Sequence, residues 1–209
     1  MARKSSRERR EEITEALLRT MARHGYAKAT IARIAEEADL NPGLIHYHFA
    51  SKQEILLELI GHLVGQQGAA VADSLAEAGG PVEKLRLLID AMLATGETAD
   101  SDAVAAWVAI TAESIRQAEV REAFEEALDA LVRVLEAVIA EGCVEGVFEP
   151  ADGLSEAACA TALMATVQGY LTVSGSAPDL IPEGSAAGAT WQMARGLLGI
   201  DAEEEACHA

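Results

Sequence analysis

Aromatic residues, cysteines, basic residues and long apolar runs are all scarce in this chain, and each shortage excludes something. Its 209 residues include three Phe, two Trp and three Tyr, against abundant alanine and leucine, which favours packed helices over sheets. The three cysteines, Cys143, Cys159 and Cys207, are odd in number and lack C-x-x-C spacing, so neither a disulfide framework nor a zinc site is indicated. No apolar run reaches the roughly 18 residues of a membrane span. Met1 to Arg10 is basic but leads into an amphipathic segment rather than a wholly apolar one, so no secretory signal is read and a cytoplasmic location is expected. No nucleophile elbow, glycine-rich phosphate loop or paired-carboxylate motif occurs, so no enzymatic activity and no cofactor are expected.

Positive charge is the most informative shortage. Sixteen Lys and Arg against 34 Asp and Glu give a net charge of −18, which by itself argues against a nucleic-acid partner. The distribution reverses that inference. Residues 1–61 hold ten basic and nine acidic residues, whereas residues 62–209 hold six and twenty-five. Five of the basic residues, Arg3, Lys4, Arg7, Arg9 and Arg10, lie in the first ten positions. They fit an arm along a phosphate backbone or simply a solvated basic terminus.

Half of the chain is apolar, enough for a core that needs no disulfide or metal, and the pattern is helical nearly throughout. Ser5-Ser6-Arg7-Glu8 reads as a capping box opening a first helix, with Ile13, Leu17 and Met21 on its inner face and Gly25 as its stop. Thr30 caps a short second helix with Ile31, Ile34, Ala35 and Ala38 inward. Asn41 and Pro42 open a third that runs to about Phe49, with Ile45 and Phe49 inward and His46, Tyr47 and His48 around the rest. Three such helices make a helix-turn-helix domain whose last member enters the major groove of DNA.

Ser51-Lys52-Gln53-Glu54 reads as a second capping box, opening a fourth helix in which Gly61, Gly65 and Gly68 form a stripe that allows close backbone approach or bending. A fifth helix closes by Gly96. A sixth from Ser101 or Asp102 carries Val104, Trp107, Val108, Thr111 and Ile115. A seventh spans Glu119 to Glu141, ended by Gly142 and Gly146. An eighth spans Leu154 to Ser174 with a stripe of small residues, and a ninth spans Glu183 to Leu198, marked by Ala186, Ala189, Thr190, Met193 and Leu197. The expected architecture is therefore all-α with about nine helices. Residues 1–50 are expected to form the DNA-binding domain, helix four (about 51–73) the link, 74–200 a second helical domain, and 201–209 an acidic tail.

The first sixty residues resemble the DNA-binding domain of the TetR family of bacterial transcriptional regulators. Gly25-Tyr26, Ala29-Thr30-Ile31, Ile34 to Ala38, Gly43 to Phe49, Ser51-Lys52 and Leu56 fall at family spacing. Asp39 departs from the usual turn glycine, and His46 stands where tyrosine is usual. The resemblance implies that Thr30, Asn41, Pro42, Gly43, Tyr47, His48 and Lys52 lie at the DNA, with Arg33 a further candidate. His46 belongs to the same face, its contacts left open. Leu44 offers an apolar contact to a thymine methyl. Tyr47, His48 and Lys52 would grip phosphates, leaving base reading to helix two and the first turn of helix three.

Trp107, Glu141-Gly142, Gly146-Val147-Phe148, Asp152 and Gln168-Gly169 resemble, more loosely, the choline-responsive BetI-type subgroup. That likeness implies a homodimer through helices eight and nine, a cavity among helices five to eight, and helix four moving the reading domain. The expected partners are a pseudo-palindromic double-stranded operator and a small-molecule effector. The expected effector contacts are Met92, Trp107, Thr111, Met164, Gln168 and Tyr170. Thr111 and Gln168 are chosen because a polar group in an apolar helix needs a partner that a ligand can supply. Aromatic residues beside acidic ones suit a cation, and the same residues suit an apolar molecule. His46 and His48 point in different directions on a helix, so no metal site is expected. The competing reading is an acidic helical scaffold that has lost DNA binding.

Overall fold

In the computed structural model, which describes residues 4–93 and 101–200, nine α-helices carry the chain and no strand occurs among the described residues. They are α1 Ser6–His24, α2 Ile31–Glu37, α3 Pro42–His48, α4 Lys52–Glu77, α5 Pro81–Met92, α6 Ser101–Ser114, α7 Ala118–Glu145, α8 Glu156–Ser176 and α9 Ser185–Leu198. Short 3-10 turns cover Tyr26–Lys28, Ala151–Gly153 and Pro178–Leu180. The expected close of α5 at Gly96, the acidic tail and Arg3 lie outside the described residues.

The helix starts follow the side chains that satisfy orphan amide groups. Ser5 and Glu8 form the reciprocal box at α1, with Glu8 N donating to Ser5 Oγ over 3.2 Å and Ser5 N to Glu8 Oε2 over 2.6 Å. At α4 the box is displaced by one residue. Glu54 N donates to Ser51 Oγ (3.1 Å), but the Glu54 carboxylate accepts from Ala50 N (2.7 Å).

The chain divides into two compact units, with the boundaries falling at Gly65/Gln66 in α4 and Ala127/Leu128 in α7. The first unit gathers α1 to α3, the start of α4, α6 and the start of α7. Ile13, Leu17, Ile34, Ile45, Ile55, Leu56 and Leu59 are sealed from solvent in it, with Phe49 almost so. Each such side chain contributes about 1.5–3 kcal/mol by leaving water. α6 packs on α1. The face that α6 buries is Ala106, Ile110 and Ser114, one position round from the expected stripe of Val104, Trp107, Val108, Thr111 and Ile115. Ile115 is 77% exposed. The small side chain of Ala106 suits close helix approach, and Trp107 is left half-buried against Phe124, ring centroids 5.2 Å apart.

The second unit is built on Leu85, Leu88, Ile89, Leu135, Ile139, Leu163, Val167, Trp191 and Leu198. Its α9 buries Ala186, Thr190, Trp191, Ala194 and Leu198. The expected stripe is rotated so that Trp191 is covered and Met193 is 54% exposed. Covering the indole removes far more apolar area than covering the thioether. α7 does not end at Gly142 but runs on to Glu145. It is Gly146, at φ 76°, that closes it, with Val147 N donating to Gly142 O (2.9 Å). The glycine stripe of α4 needs no close approach, because a Cβ at Gly61, Gly65 or Gly68 would meet nothing within 4 Å.

Among the described residues, the turn between α2 and α3 holds the one non-glycine residue with a positive φ. Asp39 takes φ 54°, a left-handed conformation that allows Leu40 N to donate to Ala35 O over 2.8 Å and close α2. Aspartate tolerates this region where a β-branched residue does not. Asp39→Val is expected to lower stability by about 1–2 kcal/mol, whereas Asp39→Gly should stay within about 0.5 kcal/mol of the parent, because relieved strain offsets the entropy of glycine. Urea titration of both variants checks this, and equal losses would contradict it.

Candidate nucleic-acid interface

α3 is held from behind and left open in front. Ile45 is wholly buried, Phe49 is 2% exposed, and Tyr47 is 80% exposed. Asn41, Pro42, Gly43 and His46 share the open side, while Leu44 and His48 are half-buried. The capping residues spend acceptors and keep donors. Asn41 Oδ1 accepts from Gly43 N (2.8 Å) and Thr30 Oγ1 from Arg33 N (3.3 Å), so the Asn41 amide and the Thr30 hydroxyl can still donate outward.

Behind α3 stands Arg10 of α1. Its guanidinium lies 4.0 Å over the Phe49 ring, bonds to Glu58 (Nε to Oε2, 2.9 Å) and Glu54, and donates to the carbonyl oxygen of His48. Glu58 and Glu54 raise its already high pKa further against the effect of burial. His48 is also restrained, with Nδ1 3.4 Å from Ser6 Oγ and its ring edge-on to Tyr47 at 5.0 Å. Arg10 and His48 therefore fix where α3 sits.

The arrangement of charge is more selective than the composition. Six of the nine basic residues between 4 and 61 that the structure describes sit in ion pairs: Lys4 and Arg9 with Glu12, Arg7 with Glu11, Arg10 with Glu54 and Glu58, and Arg19 and Arg23 with Glu37. The three without a carboxylate within 4 Å, among the described residues, are Lys28, Arg33 and Lys52, and they meet at the 3-10 turn. Arg33 Nη1 donates to Lys28 O (3.1 Å), and Lys52 Nζ donates to Tyr26 O (2.8 Å) from 3.8 Å above the Tyr26 ring. Burial pushes the Lys52 ammonium down in pKa, partly countered by the charge of Glu113. Burial and Glu113 push the Tyr26 phenol up, and Gln117 acts the other way. Lys28 was missed in the sequence because its freedom from ion pairs depends on where Glu36 and Glu37 point.

The expected effector residues fall in both units. Trp107 and Thr111 lie in the first, and Met92, Met164, Gln168 and Tyr170 in the second. The polar-group argument for two of them weakens, since Thr111 Oγ1 donates to Trp107 O (3.0 Å) and Gln168 Nε2 lies 3.7 Å from Met164 Sδ. Met92 and Met164 are core residues. Tyr170 lines an open apolar cleft of about 250 Å³ with Thr166, Gly169, Val173 and Ile181. A second cleft of about 540 Å³ is lined by Leu75, Lys84, Arg133, Val138 and Glu141, where Lys84 Nζ meets Glu141 Oε1 at 2.6 Å.

Residues 13–59 match the family described as bacterial regulatory proteins, tetR family, and residues 81–197, more than half of the chain, match the C-terminal domain of BetI-type transcriptional repressors. The chain belongs to the TetR family, with a BetI-type C-terminal domain. Among relatives of this TetR-family chain, the transcriptional regulator BetI of Agrobacterium fabrum is 35% identical over 113 residues, 54% of each chain. BetI of Brucella suis is 30% identical over 100 residues, 48% of this chain and 50% of that one. The match thus spans about half the length of these curated relatives. A transcriptional regulator from Saccharomonospora viridis, solved in complex with choline, superposes with a TM-score of 0.75 at 27% identity, covering 91% of this chain and 95% of that one. A TetR-family regulator from Rhodococcus shares the fold at a TM-score of 0.81 and 18% identity, covering 91% and 98%. No helix among the described residues is long and apolar enough to cross a membrane.

Proposed function

We propose that the chain is a homodimeric repressor that binds a pseudo-palindromic operator through α3 and is released from it by a small cationic effector. The observation that carries this reading is the open face of α3, with Tyr47 80% exposed, beside the three cations that have no carboxylate within 4 Å among the described residues. Thr30, Arg33 and Asn41 to Leu44 face bases. Tyr47, Lys52 and the added Lys28 meet phosphates, and phosphate contacts set register while base contacts set sequence. His46 lies on the same exposed side, and His48 contributes mainly by holding α3. In a two-fold dimer the two α3 helices enter successive major grooves about 34–36 Å apart. An effector that binds better to the form with a different spacing shifts the dimer off DNA by its differential affinity for the two forms.

A cation is the effector class because residues 62–209 carry twenty-five acidic against six basic residues and the S. viridis relative binds choline. Met92, Trp107, Thr111, Met164, Gln168 and Tyr170 remain the proposed contacts. The pure protein should bind the DNA flanking its own gene saturably, which the scaffold reading does not allow. Tyr47→Ala combined with Lys52→Ala should weaken that binding at least tenfold and flatten its salt dependence, the lost Lys52 charge removing about 0.9 from the log–log slope. Choline at 100 times its Kd should stabilise the fold by about 2.7 kcal/mol and release the DNA. Release by a medium-chain fatty acid and not by choline would replace the cation with an apolar effector.

A further inference from the structure

Lys52 is not waiting in solvent. Its ammonium is docked on the Tyr26 carbonyl and ring, and the turn that carries Tyr26 is packed against α6. In the last turn of α6 stands Glu113, whose Oε2 accepts from Gln117 Nε2 over 2.8 Å. The charge of Glu113 reaches both the Tyr26 phenol and Lys52, and the Gln117 amide offers the phenol a hydrogen bond. Two linked pairs, Lys52 with Tyr26 and Gln117 with Glu113, thus face each other where the 3-10 turn packs on α6, inside one compact unit.

We infer that Tyr26, Gln117 and Glu113 form a latch that retains the Lys52 ammonium in the DNA-free chain, so that Glu113 sets how readily Lys52 reaches a phosphate. This rests on the proposed DNA-binding function. A phosphate competes for Lys52 with the Tyr26 carbonyl, the ring face and the charge of Glu113. Of these, only Glu113 belongs to a helix outside the reading domain expected from the sequence. It is a positioning residue that acts through Lys52.

The test uses the full chain. Operator affinity is measured as a function of salt for the parent, Glu113→Gln, Lys52→Gln and the double variant, and acetylation of Lys52 relative to Lys28 by acetic anhydride is followed by peptide mass spectrometry. Glu113→Gln should tighten binding about two- to fivefold, the scale of one partly screened charge interaction. The gain should vanish in the Lys52→Gln background. Lys52 should be acetylated more slowly than Lys28 in the parent, and faster after Glu113→Gln or Tyr26→Ala. A gain from Glu113→Gln that survives Lys52→Gln would make Glu113 a general repulsive charge and overturn the latch, as would an affinity unchanged from the parent. Lys52 acetylated as fast as Lys28 in the parent overturns it without reference to DNA. Saturable binding by none of the four proteins overturns the DNA-binding function itself and the latch's role with it, which separates that failure from the others.

Discussion

Ala165→Arg is expected to turn the protein into a monomer and to weaken operator binding by about a hundredfold or more, the usual scale of avidity lost when two linked sites become one. From Ala157 to Ser176 α8 carries no Asp, Glu, Lys or Arg, in a chain that is 24% charged. Cys159, Ala160, Leu163, Met164 and Val167 face the core. Ala157, Ala158, Thr161, Ala162, Ala165, Gly169 and Thr172 are exposed in the single chain. A solvated helix face normally carries charge, and an uncharged strip of small residues fits a second copy at close range. A Cβ at Gly169 would meet nothing within 4 Å in the single chain, so the glycine is not required by packing within it. An arginine at position 165 would lie unpaired in the proposed two-fold interface, a cost of several kcal/mol, yet would be solvated in a monomer. Light scattering should give half the parental mass, with circular dichroism and melting temperature little changed. Ala165→Ser should behave as the parent. An Ala165→Arg protein that remains dimeric would remove α8 from the interface.

What the sequence made legible, and what it hid, follows from the range of the forces involved. The caps at Ser5, Thr30 and Asn41 are satisfied within three residues of chain, so the starts of α2 and α3 were readable to the residue and that of α1 to within one. Asp39 was recognisable as a residue in a glycine's place, and it takes the left-handed backbone that the turn demands. The inner faces of α6 and α9 were each displaced, because both helices are apolar or small on more than one side. Which side is buried depends on the partner: Ala106 is covered as α6 packs on α1, and Trp191 is covered in place of Met193. The candidate site shows the same division. Residue types on α3 were legible from its cap and its short length. That Arg10, Arg19 and Arg23 pair with glutamates while Lys28, Arg33 and Lys52 form no ion pair was invisible, since Arg10 with Glu58 spans 48 positions and Arg19 with Glu37 spans 18. The argument that Thr111 needs a ligand as its partner weakens for the opposite reason. Thr111 finds the carbonyl oxygen of Trp107 only four residues back, a local alternative open to any helical threonine.

Gly142→Ala should destabilise the chain by about 1–3 kcal/mol although it replaces glycine inside a helix, where alanine alone would contribute roughly 1 kcal/mol of stabilisation. The cause is the Phe148 ring. A Cβ at Gly142 would fall 2.1 Å from Phe148 Cδ2 and 2.5 Å from Cε2, far inside van der Waals contact. The ring has little freedom to withdraw. Phe148 is 4% exposed within the core of the second unit, and its backbone is tied at both ends: Phe148 N donates to Gly142 O (3.1 Å), and Glu149 N donates to Leu198 O (2.8 Å). The far end of that tie is equally tight, since a Cβ at Gly199 would meet Glu149 O at 2.8 Å. Phe148→Ala should cost about 3–5 kcal/mol by leaving a cavity. In that background the sign of the first substitution should reverse: with the ring gone, Gly142→Ala should stabilise by about 0.5–1 kcal/mol through helix propensity alone. Urea titration of the parent, the two single variants and the double variant closes the cycle. A Gly142→Ala loss of equal size with and without Phe148 would mean that the glycine is required by the backbone of α7 and not by the ring that lies against it.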